Sequence, residues 1–309
     1  MLRSLFNEYR SGVSVDDGHP TQDIIIMRLT AIAILLGTFL AGGCASGKFV
    51  QSGDQPYMTP ERMERGWVLV FTGMEGRSGF NEGIVDGLAK GGVPYGIEIV
   101  DWTPSASLLY NLEAQGRNRR TAAEWAERVT EYQMTYPGRP VYLVGQSSGG
   151  AMIAWVAEAL NGPKVHGIVM LDATLSPGYR LDNALAGSDQ GIVSFYSGHD
   201  VLLVGTVVFR TIDGKFGQSA GRTGFEVPSD DMAYQRLYQV PWTAEMGQGT
   251  GNSGLHMTSG AKDFVARYVA PLVKANRWDQ NFISQDVHGS LPKETIEPTA
   301  QDDLRARVR

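Results

Sequence analysis

The sequence predicts one α/β domain with a mostly parallel sheet of about six strands and helices on both faces. Short runs rich in β-branched residues alternate with longer amphipathic segments through residues 67–275, which is typical of strand–helix–strand units. Glycine-rich turns separate the two kinds of segment. The hydrophobic content of 42% is that of an ordinary globular protein with a sizeable core.

The elements follow in order along this region. Pro241 places the last strand at an edge of the sheet, because proline cannot donate to a strand ladder. Thr121 and Glu124 predict a capping box at the start of the second helix, and Pro271 is expected to kink or end the closing helix. The predicted strands are 67–73, 95–103, 140–146, 165–174, 191–198 and 236–242, and the predicted helices are 81–92, 121–137, 149–162 and 259–275.

Residues 27–44, MRLTAIAILLGTFLAGGC, have a basic start, an apolar run and small residues before Cys44. This order is typical of a secretory signal, and the apolar run is shorter than the roughly 20 residues that a transmembrane helix needs. Its end resembles a bacterial lipoprotein signal, although Leu40 lies four rather than three residues before the cysteine. The resemblance implies that Cys44 is lipidated and anchors the chain to a membrane of the cell envelope. By resemblance to lipoprotein sorting in two-membrane bacteria, Ala45 in place of aspartate implies the outer membrane or a periplasmic face. An uncleaved signal or a plain membrane anchor is the alternative.

The regions outside the α/β domain differ from it in composition. Residues 1–26 precede Met27 and are interpreted as an upstream extension or a misassigned start, and residues 27–43 as the signal peptide. Residues 44–66 have the glycine, serine and proline content of a tether, and residues 276–309 are polar and charged, which predicts a mostly disordered tail.

Charge and cysteine content exclude several classes of function. The net charge of −6 provides no basic footprint for nucleic acid. A single cysteine allows no intrachain disulfide, and no cysteine–histidine cluster has the spacing of a zinc site. The sequence therefore implies neither a metal nor an organic cofactor.

The stretch 141–150, VYLVGQSSGG, carries the pattern G-x-S-x-G between a predicted strand and a predicted helix. A nucleophile elbow needs that context, because its serine lies on a strained turn whose neighbours two residues away must be small. Ser147 has Gly145 and Gly149 at those positions, whereas Ser148 has Gln146 before it. The spacing selects Ser147 as the nucleophile; the alternative is a glycine-rich turn without chemistry.

With this motif in place, residues 67–275 resemble the α/β-hydrolase family. In that family the acid and the histidine follow the serine in chain order, on loops after later strands. The resemblance implies His256, in GNSGLHMTSG after the last strand, as the base, and Asp200, in YSGHDVLL, as the acid. Asp172, in VMLDAT, is the alternative acid.

The resemblance also implies an oxyanion hole and a mechanism. The backbone N–H groups of Ser148 and Met74 are the expected oxyanion donors. Asp200 would orient His256, which takes the proton of Ser147 as it attacks an acyl carbonyl, and water would then cleave the acyl-enzyme.

The predicted function is therefore that of a serine hydrolase acting on a carboxylic ester or thioester, with a small-molecule or lipid-like acyl substrate. The interval from Asp172 to strand 191–198 is too short for a helical lid, and the larger insertion lies between Asp200 and His256. A peptidase or an acyltransferase on the same triad is the enzymatic alternative. A non-catalytic envelope lipoprotein that uses the fold for binding is the alternative of a different class.

Overall fold

A computed structural model describes residues 55–104, 107–201, 210–229, 231–275 and 277–289. The predictions for residues 1–54, which include the signal peptide, Cys44 and the first half of the tether, lie outside these ranges. So does the end of the predicted tail. Within the described ranges, no helix combines the length and apolar character needed to cross a membrane.

The core of the domain is one six-stranded sheet in which every neighbouring pair of strands is parallel. The predicted fold class is confirmed, and every predicted strand is present in shortened form. Proline at the end of an edge strand also agrees with the structure. The strands are β1 (Trp67–Phe71), β2 (Gly96–Val100), β3 (Val141–Gln146), β4 (Gly167–Leu171), β5 (Ile192–Tyr196) and β6 (Leu237–Pro241), in the spatial order β2-β1-β3-β4-β5-β6.

The order of the strands along the sheet reverses direction once. The chain moves outward from β1 to β2, then returns past β1 to β3 and continues to β6. In open parallel sheets, ligands bind where the strand order reverses, beyond the carboxyl ends of the strands. Here that point lies between β1 and β3, so the loop after β1 adjoins the turn that carries Ser147.

Helices cover both faces of the sheet, as predicted. Longer helices alternate with single turns, and two short 3₁₀ helices, Met232–Arg236 and His256–Thr258, interrupt the loops. The helices are α1 (Pro60–Met63), α2 (Gly79–Lys90), α3 (Leu108–Glu113), α4 (Gln115–Thr135), α5 (Ser148–Ala159), α6 (Asp182–Ala186), α7 (Ala220–Thr223), α8 (Ala244–Gly247), α9 (Lys262–Phe264), α10 (Ala270–Lys274) and α11 (Gln280–Gly289).

Two hydrophobic layers sandwich the sheet because successive strand residues point to opposite faces. In β1, Leu69 and Phe71 belong to the hydrophobic layer that includes α4, α5 and α6, whereas Val68 and Val70 belong to the layer that includes α2, α10 and α11. Strands β1, β3 and β4 are buried at every position, which explains their continuous apolar sequences.

The second long helix begins earlier than predicted. Helix α4 starts at Gln115, so Thr121 lies inside it and the predicted capping box is wrong. Tertiary hydrogen bonds hold the additional turns: buried Asn118 donates to the carbonyl of Asn111 (2.8 Å), and Arg117 donates to the carbonyl of Trp102 (2.7 Å). Hydrogen bonds to the preceding segment therefore override the local capping signal at Thr121.

The closing helix continues through Pro271 by changing its winding. A π-helical turn, Val265–Val269, joins α9 to α10 immediately before the proline. Proline lacks the N–H that would bond one turn back, and its ring crowds that carbonyl, so a wider turn accommodates it. The irregularity predicted at Pro271 is present, but the helix does not end there.

The folded domain extends beyond both of its predicted ends, residues 67 and 275. Within the predicted tether, Arg62 of α1 donates hydrogen bonds to two carbonyl oxygens of the loop before β2, at 2.7 and 2.8 Å. Within the predicted tail, α11 packs on the sheet, and Trp278 and Ile283 are buried in its second hydrophobic layer. The predictions of a tether over 55–66 and of disorder over 277–289 are therefore wrong, because a few apolar side chains in polar segments are enough to dock them.

Candidate active site

Ser147 occupies a sharp turn between β3 and α5. Its φ of 55° and ψ of −122° are uncommon for a residue with a side chain. Its N–H donates to the carbonyl of Leu171 (2.9 Å), and its own carbonyl accepts from the N–H of Thr174 (3.1 Å). Bonds to the neighbouring β4 region thus hold a conformation that costs on the order of 1–3 kcal/mol.

The two glycines of the motif are required by close backbone approach. A Cβ on Gly145 would collide with the carbonyl oxygen of Gly149, and a Cβ on Gly149 with that of Phe71. The hydroxyl of Ser148 is buried and lies 3.2 Å from the hydroxyl of Thr174. Ser147, and not Ser148, therefore occupies the strained position of the turn, and its role as the nucleophile stays a prediction.

Asp200 and His256 form a direct pair. Asp200 Oδ2 lies 2.7 Å from His256 Nδ1, and both side chains are buried. Two further hydrogen bonds fix the acid loop: Ser197 Oγ donates to the carbonyl of Gly254 in the histidine loop (2.7 Å), and Arg222 donates to the carbonyl of Asp200 (2.6 Å). The bond from Ser197 to Gly254 thereby joins the loop that follows β5 to the loop that carries His256.

Gln146 connects this pair to the elbow. Its side-chain amide donates to the carbonyl of His256 (3.0 Å) and to the hydroxyl of Ser259 (3.2 Å). Ser147 therefore follows directly the residue that holds the histidine loop. Within the described residues, no hydrogen bond joins the Ser147 hydroxyl to the His256 ring; such bonds commonly tighten only when substrate is bound.

Asp172, the alternative acid, lies at the end of β4 beside the pair. One ligand atom from each of Asp172, Asp200 and His256 lies within 4.8 Å of the others. The direct hydrogen bond to the ring comes from Asp200, which favours Asp200 as the orienting acid. A metal ion bound by these three groups would compete with that hydrogen bond.

The surrounding carboxylates perturb both titratable groups. Burial alone would lower the pKa of His256, but the carboxylates of Asp200, Asp172 and Glu75 outweigh it and raise the pKa above its usual value. Burial raises the pKa of Asp172 to about 7, and the charge of Asp200 adds to this shift. Strongly perturbed groups in a crevice are typical of functional sites.

The expected oxyanion donors lie at neighbouring strand ends. Ser148 is the first residue of α5, so its N–H has no acceptor within the helix. Met74 lies in the loop after β1, and Asn111 of α3 holds that loop by donating to the Met74 carbonyl (2.9 Å). Because Phe71 of β1 is in register with Gly145 of β3, this loop and the elbow share one edge of the sheet. The catalytic roles of all these residues stay predictions.

Sequence reasoning did not identify three polar residues at this site: Gln146, Ser197 and Glu75. Gln146 occupies the variable position before the nucleophile, and Ser197 lies three residues before the acid. Glu75 lies next to Met74, so its position beside the expected oxyanion donor is the one signal that the sequence contained.

No family profile and no curated protein sequence matches the chain. Solved structures similar to it include lipase B of Aspergillus fumigatus, at 12% identity over 77% of this chain and 60% of that chain, with a TM-score of 0.46. This chain therefore spans 60% of that lipase's length. A putative hydrolase of the α/β superfamily from Xanthomonas campestris is 19% identical over 65% of this chain and 96% of that chain, with a TM-score of 0.35. A monoacylglycerol lipase of Paleococcus ferrophilus is 12% identical over 70% and 96%, with a TM-score of 0.41. The fold assignment rests on the parallel sheet itself and not on these likenesses.

Proposed function

We propose that the protein is a serine hydrolase that cleaves a carboxylic ester or thioester through an acyl-enzyme on Ser147. The observation that carries this proposal is the strained Ser147 turn next to a buried Asp200–His256 pair at 2.7 Å. The hydrolases and lipases among the similar solved structures agree with the proposal, although none of them is needed to support it.

The proposed mechanism assigns each group one task. Asp200 accepts the Nδ1–H of His256, which leaves Nε2 free to take the proton of Ser147 as its oxygen attacks the acyl carbonyl. The N–H groups of Ser148 and Met74 stabilise the negative charge that develops on the carbonyl oxygen, and one such donor contributes about 10²–10³ in rate. The protonated His256 then donates to the leaving group, and water repeats the sequence to release the acid.

The mechanism requires His256 to be neutral when attack begins. Neighbouring carboxylates raise the pKa of His256, so kcat/KM is expected to fall as the pH decreases through that raised value. The measured acid limb should therefore lie at higher pH than that of an unperturbed histidine.

Labelling with a fluorophosphonate probe tests the proposal, because the probe reacts with an activated serine. Wild-type protein is expected to be labelled, Ser147→Ala to be unlabelled, and Ser148→Ala to be labelled, since only the Ser148 backbone takes part. Absence of wild-type labelling would favour the non-catalytic binding protein, and equal labelling of Ser147→Ala would reject Ser147 as the nucleophile. Labelling without hydrolysis of p-nitrophenyl esters, but with acyl transfer to an added alcohol or with peptide cleavage, would favour the acyltransferase or the peptidase.

The sequence around Cys44 supports a second part of the proposal, that the chain is exported and anchored to the cell envelope by lipid at this cysteine. The support is the order of basic, apolar and small residues before it. Expression in a two-membrane bacterium with a clickable fatty acid is expected to label the wild type and not Cys44→Ser. Labelling of neither protein would leave a plain signal or a membrane anchor as the better interpretation.

A further inference from the structure

The peptide that contains the expected oxyanion donor is fixed by a turn of its own loop. The N–H of Gly76 donates to the carbonyl of Gly73 (3.2 Å), which makes Met74 the second residue of a four-residue turn. In a trans peptide the C=O and N–H groups point in opposite directions. The bond to the Gly73 carbonyl therefore sets the direction of the Met74 N–H, which belongs to the same peptide, before any substrate is bound.

Two buried side chains from the segment after β2 hold the peptides on either side of this one. The indole N–H of Trp102 donates to the carbonyl of Thr72 (2.7 Å), and the side-chain amide of Asn111 donates to the carbonyl of Met74 (2.9 Å). Both side chains are buried. The carbonyls of residues 72–74 thus each have a donor, and rotation of any peptide in this stretch would break a hydrogen bond.

Arg117 of α4 links these two side chains. Its guanidinium donates to the carbonyl of Trp102 (2.7 Å) and to the side-chain oxygen of Asn111 (3.3 Å), and it lies 5.4 Å from the centre of the Trp102 ring. None of the ion pairs among the described residues includes Arg117. A guanidinium only donates and a carbonyl only accepts, so the amide of Asn111 has its oxygen towards Arg117 and its nitrogen towards Met74.

We propose that Asn111 is a positioning residue, which holds the Met74 N–H in the oxyanion hole through the Met74 carbonyl, and that Arg117 keeps the Asn111 amide in the required orientation. The inference rests on the proposed hydrolase function and adds to it the residues that preorganise one oxyanion donor. Such a donor accelerates the reaction because it is already oriented when the negative charge develops. Displacement by about 1 Å costs about 10²-fold in rate.

Asn111→Asp tests this inference with a nearly isosteric change. The carboxylate still accepts from Arg117 but offers no donor to the Met74 carbonyl. We expect kcat for a p-nitrophenyl ester to fall by about 10²-fold and KM to stay within about twofold, because the contact acts in the transition state. Asn183→Asp makes the same change at an exposed position on α6, so it is the matched control and should keep the wild-type kcat.

An aryl trifluoromethyl ketone distinguishes positioning of the oxyanion donor from a general disturbance of the fold. Ser147 Oγ bonds to the ketone carbon, its proton passes to His256, and the carbonyl oxygen becomes an anion in the oxyanion hole. In Asn111→Asp the inhibition constant of the ketone is expected to rise by about the factor by which kcat falls. The low-field proton resonance of the Asp200–His256 hydrogen bond should stay as in wild type.

A folded Asn111→Asp variant with wild-type kcat, or one whose kcat falls without a rise in the ketone inhibition constant, would overturn the inference and leave the proposed function standing. Loss of the low-field resonance in that variant would overturn it as well, because the change would then reach the triad.

If Asn111→Asp does not fold, Arg117→Met decides, since it removes the donors of a half-buried side chain and keeps its apolar stem. A kcat about tenfold lower with a higher ketone inhibition constant supports the inference, and wild-type values overturn it. Wild-type protein that neither reacts with the fluorophosphonate nor hydrolyses any ester would instead overturn the proposed function and, with it, this inference.

Discussion

Asp172 offers a stability measurement that tests the electrostatics of the site without a substrate. Its carboxyl is buried, and its pKa is raised from 3.8 to about 7. Between those two values the unfolded chain has lost the proton while the folded chain keeps it. The free energy of unfolding is therefore expected to decrease as the pH rises through this window, and to be highest below it.

The size of the effect follows from the shift. A shift of about three pH units corresponds to about 4 kcal/mol at about 1.4 kcal/mol per unit. That shift already includes the attraction between ionised Asp172 and His256, which offsets part of the cost of burial. The amide introduced by Asp172→Asn cannot ionise, so this variant should gain stability relative to wild type by up to about 4 kcal/mol between about pH 4 and about pH 8.

Urea unfolding followed by tryptophan fluorescence across that pH range measures the difference directly. Any constant offset reflects altered hydrogen bonding, so the informative quantity is the change in the difference with pH. Asp189→Asn makes the same change of carboxylate to amide at an exposed position and is the matched control. Parallel curves for wild type and Asp172→Asn would refute the claim that a buried, mostly protonated carboxyl adjoins the Asp200–His256 pair.

Three further predictions concern the geometry of the site. Asp200→Asn should lower kcat by about 10⁴-fold in an ester assay, because it removes the acceptor that fixes the His256 tautomer. Asp172→Asn should lower kcat by less than about tenfold. The reverse order of the two effects would make Asp172 the acid. Ser147→Gly should be more stable than Ser147→Ala by about 1 kcal/mol in free energy of unfolding, measured with urea. Glycine relieves the backbone strain at φ 55°, and its larger loss of chain entropy on folding offsets part of that gain. Gly149→Ala should lose about 1–3 kcal/mol of stability and most fluorophosphonate labelling, because its Cβ meets the carbonyl of Phe71; wild-type labelling of that variant would contradict the close approach.

The sheet and the elbow were predictable because their signals are local. Each buried parallel strand is a continuous apolar run bounded by glycine or polar residues, and the strand–turn–helix context of Ser147 spans only about a dozen residues. The spacing of the G-x-S-x-G motif predicts that positions 145 and 149 need glycine. The physical reason is that a Cβ at either position would collide with a backbone carbonyl.

The choice of acid and the ends of the domain were not fixed by local signals. Asp172 and Asp200 both follow strands, and only the three-dimensional path of the histidine loop gives Asp200 the bond to the ring. That path depends on contacts between distant residues, such as the bond from Gln146 to the carbonyl of His256 across 110 positions. Trp278 was likewise assigned to a polar tail, because its burial depends on the sheet face that it meets.

The backbone of Ser147 and Asp172 shows how the fold presents side chains to the crevice. Side chains within a strand point above or below the sheet, and neither direction leads to the space beyond the strand ends. A residue with a positive φ turns the chain sharply just past the last position of a strand. Ser147 has a φ of 55° at the end of β3, and Asp172 has a φ of 49° at the end of the neighbouring strand β4. The N–H of Ser147 donates to the carbonyl of Leu171, and the N–H of Thr174 donates to the carbonyl of Ser147, whereas the N–H of Asp172 donates to the carbonyl of Phe195 in β5. The Ser147 turn is therefore bonded to the residues on either side of Asp172, so the proposed nucleophile and the second acidic group lie in one hydrogen-bonded segment at the ends of β3 and β4.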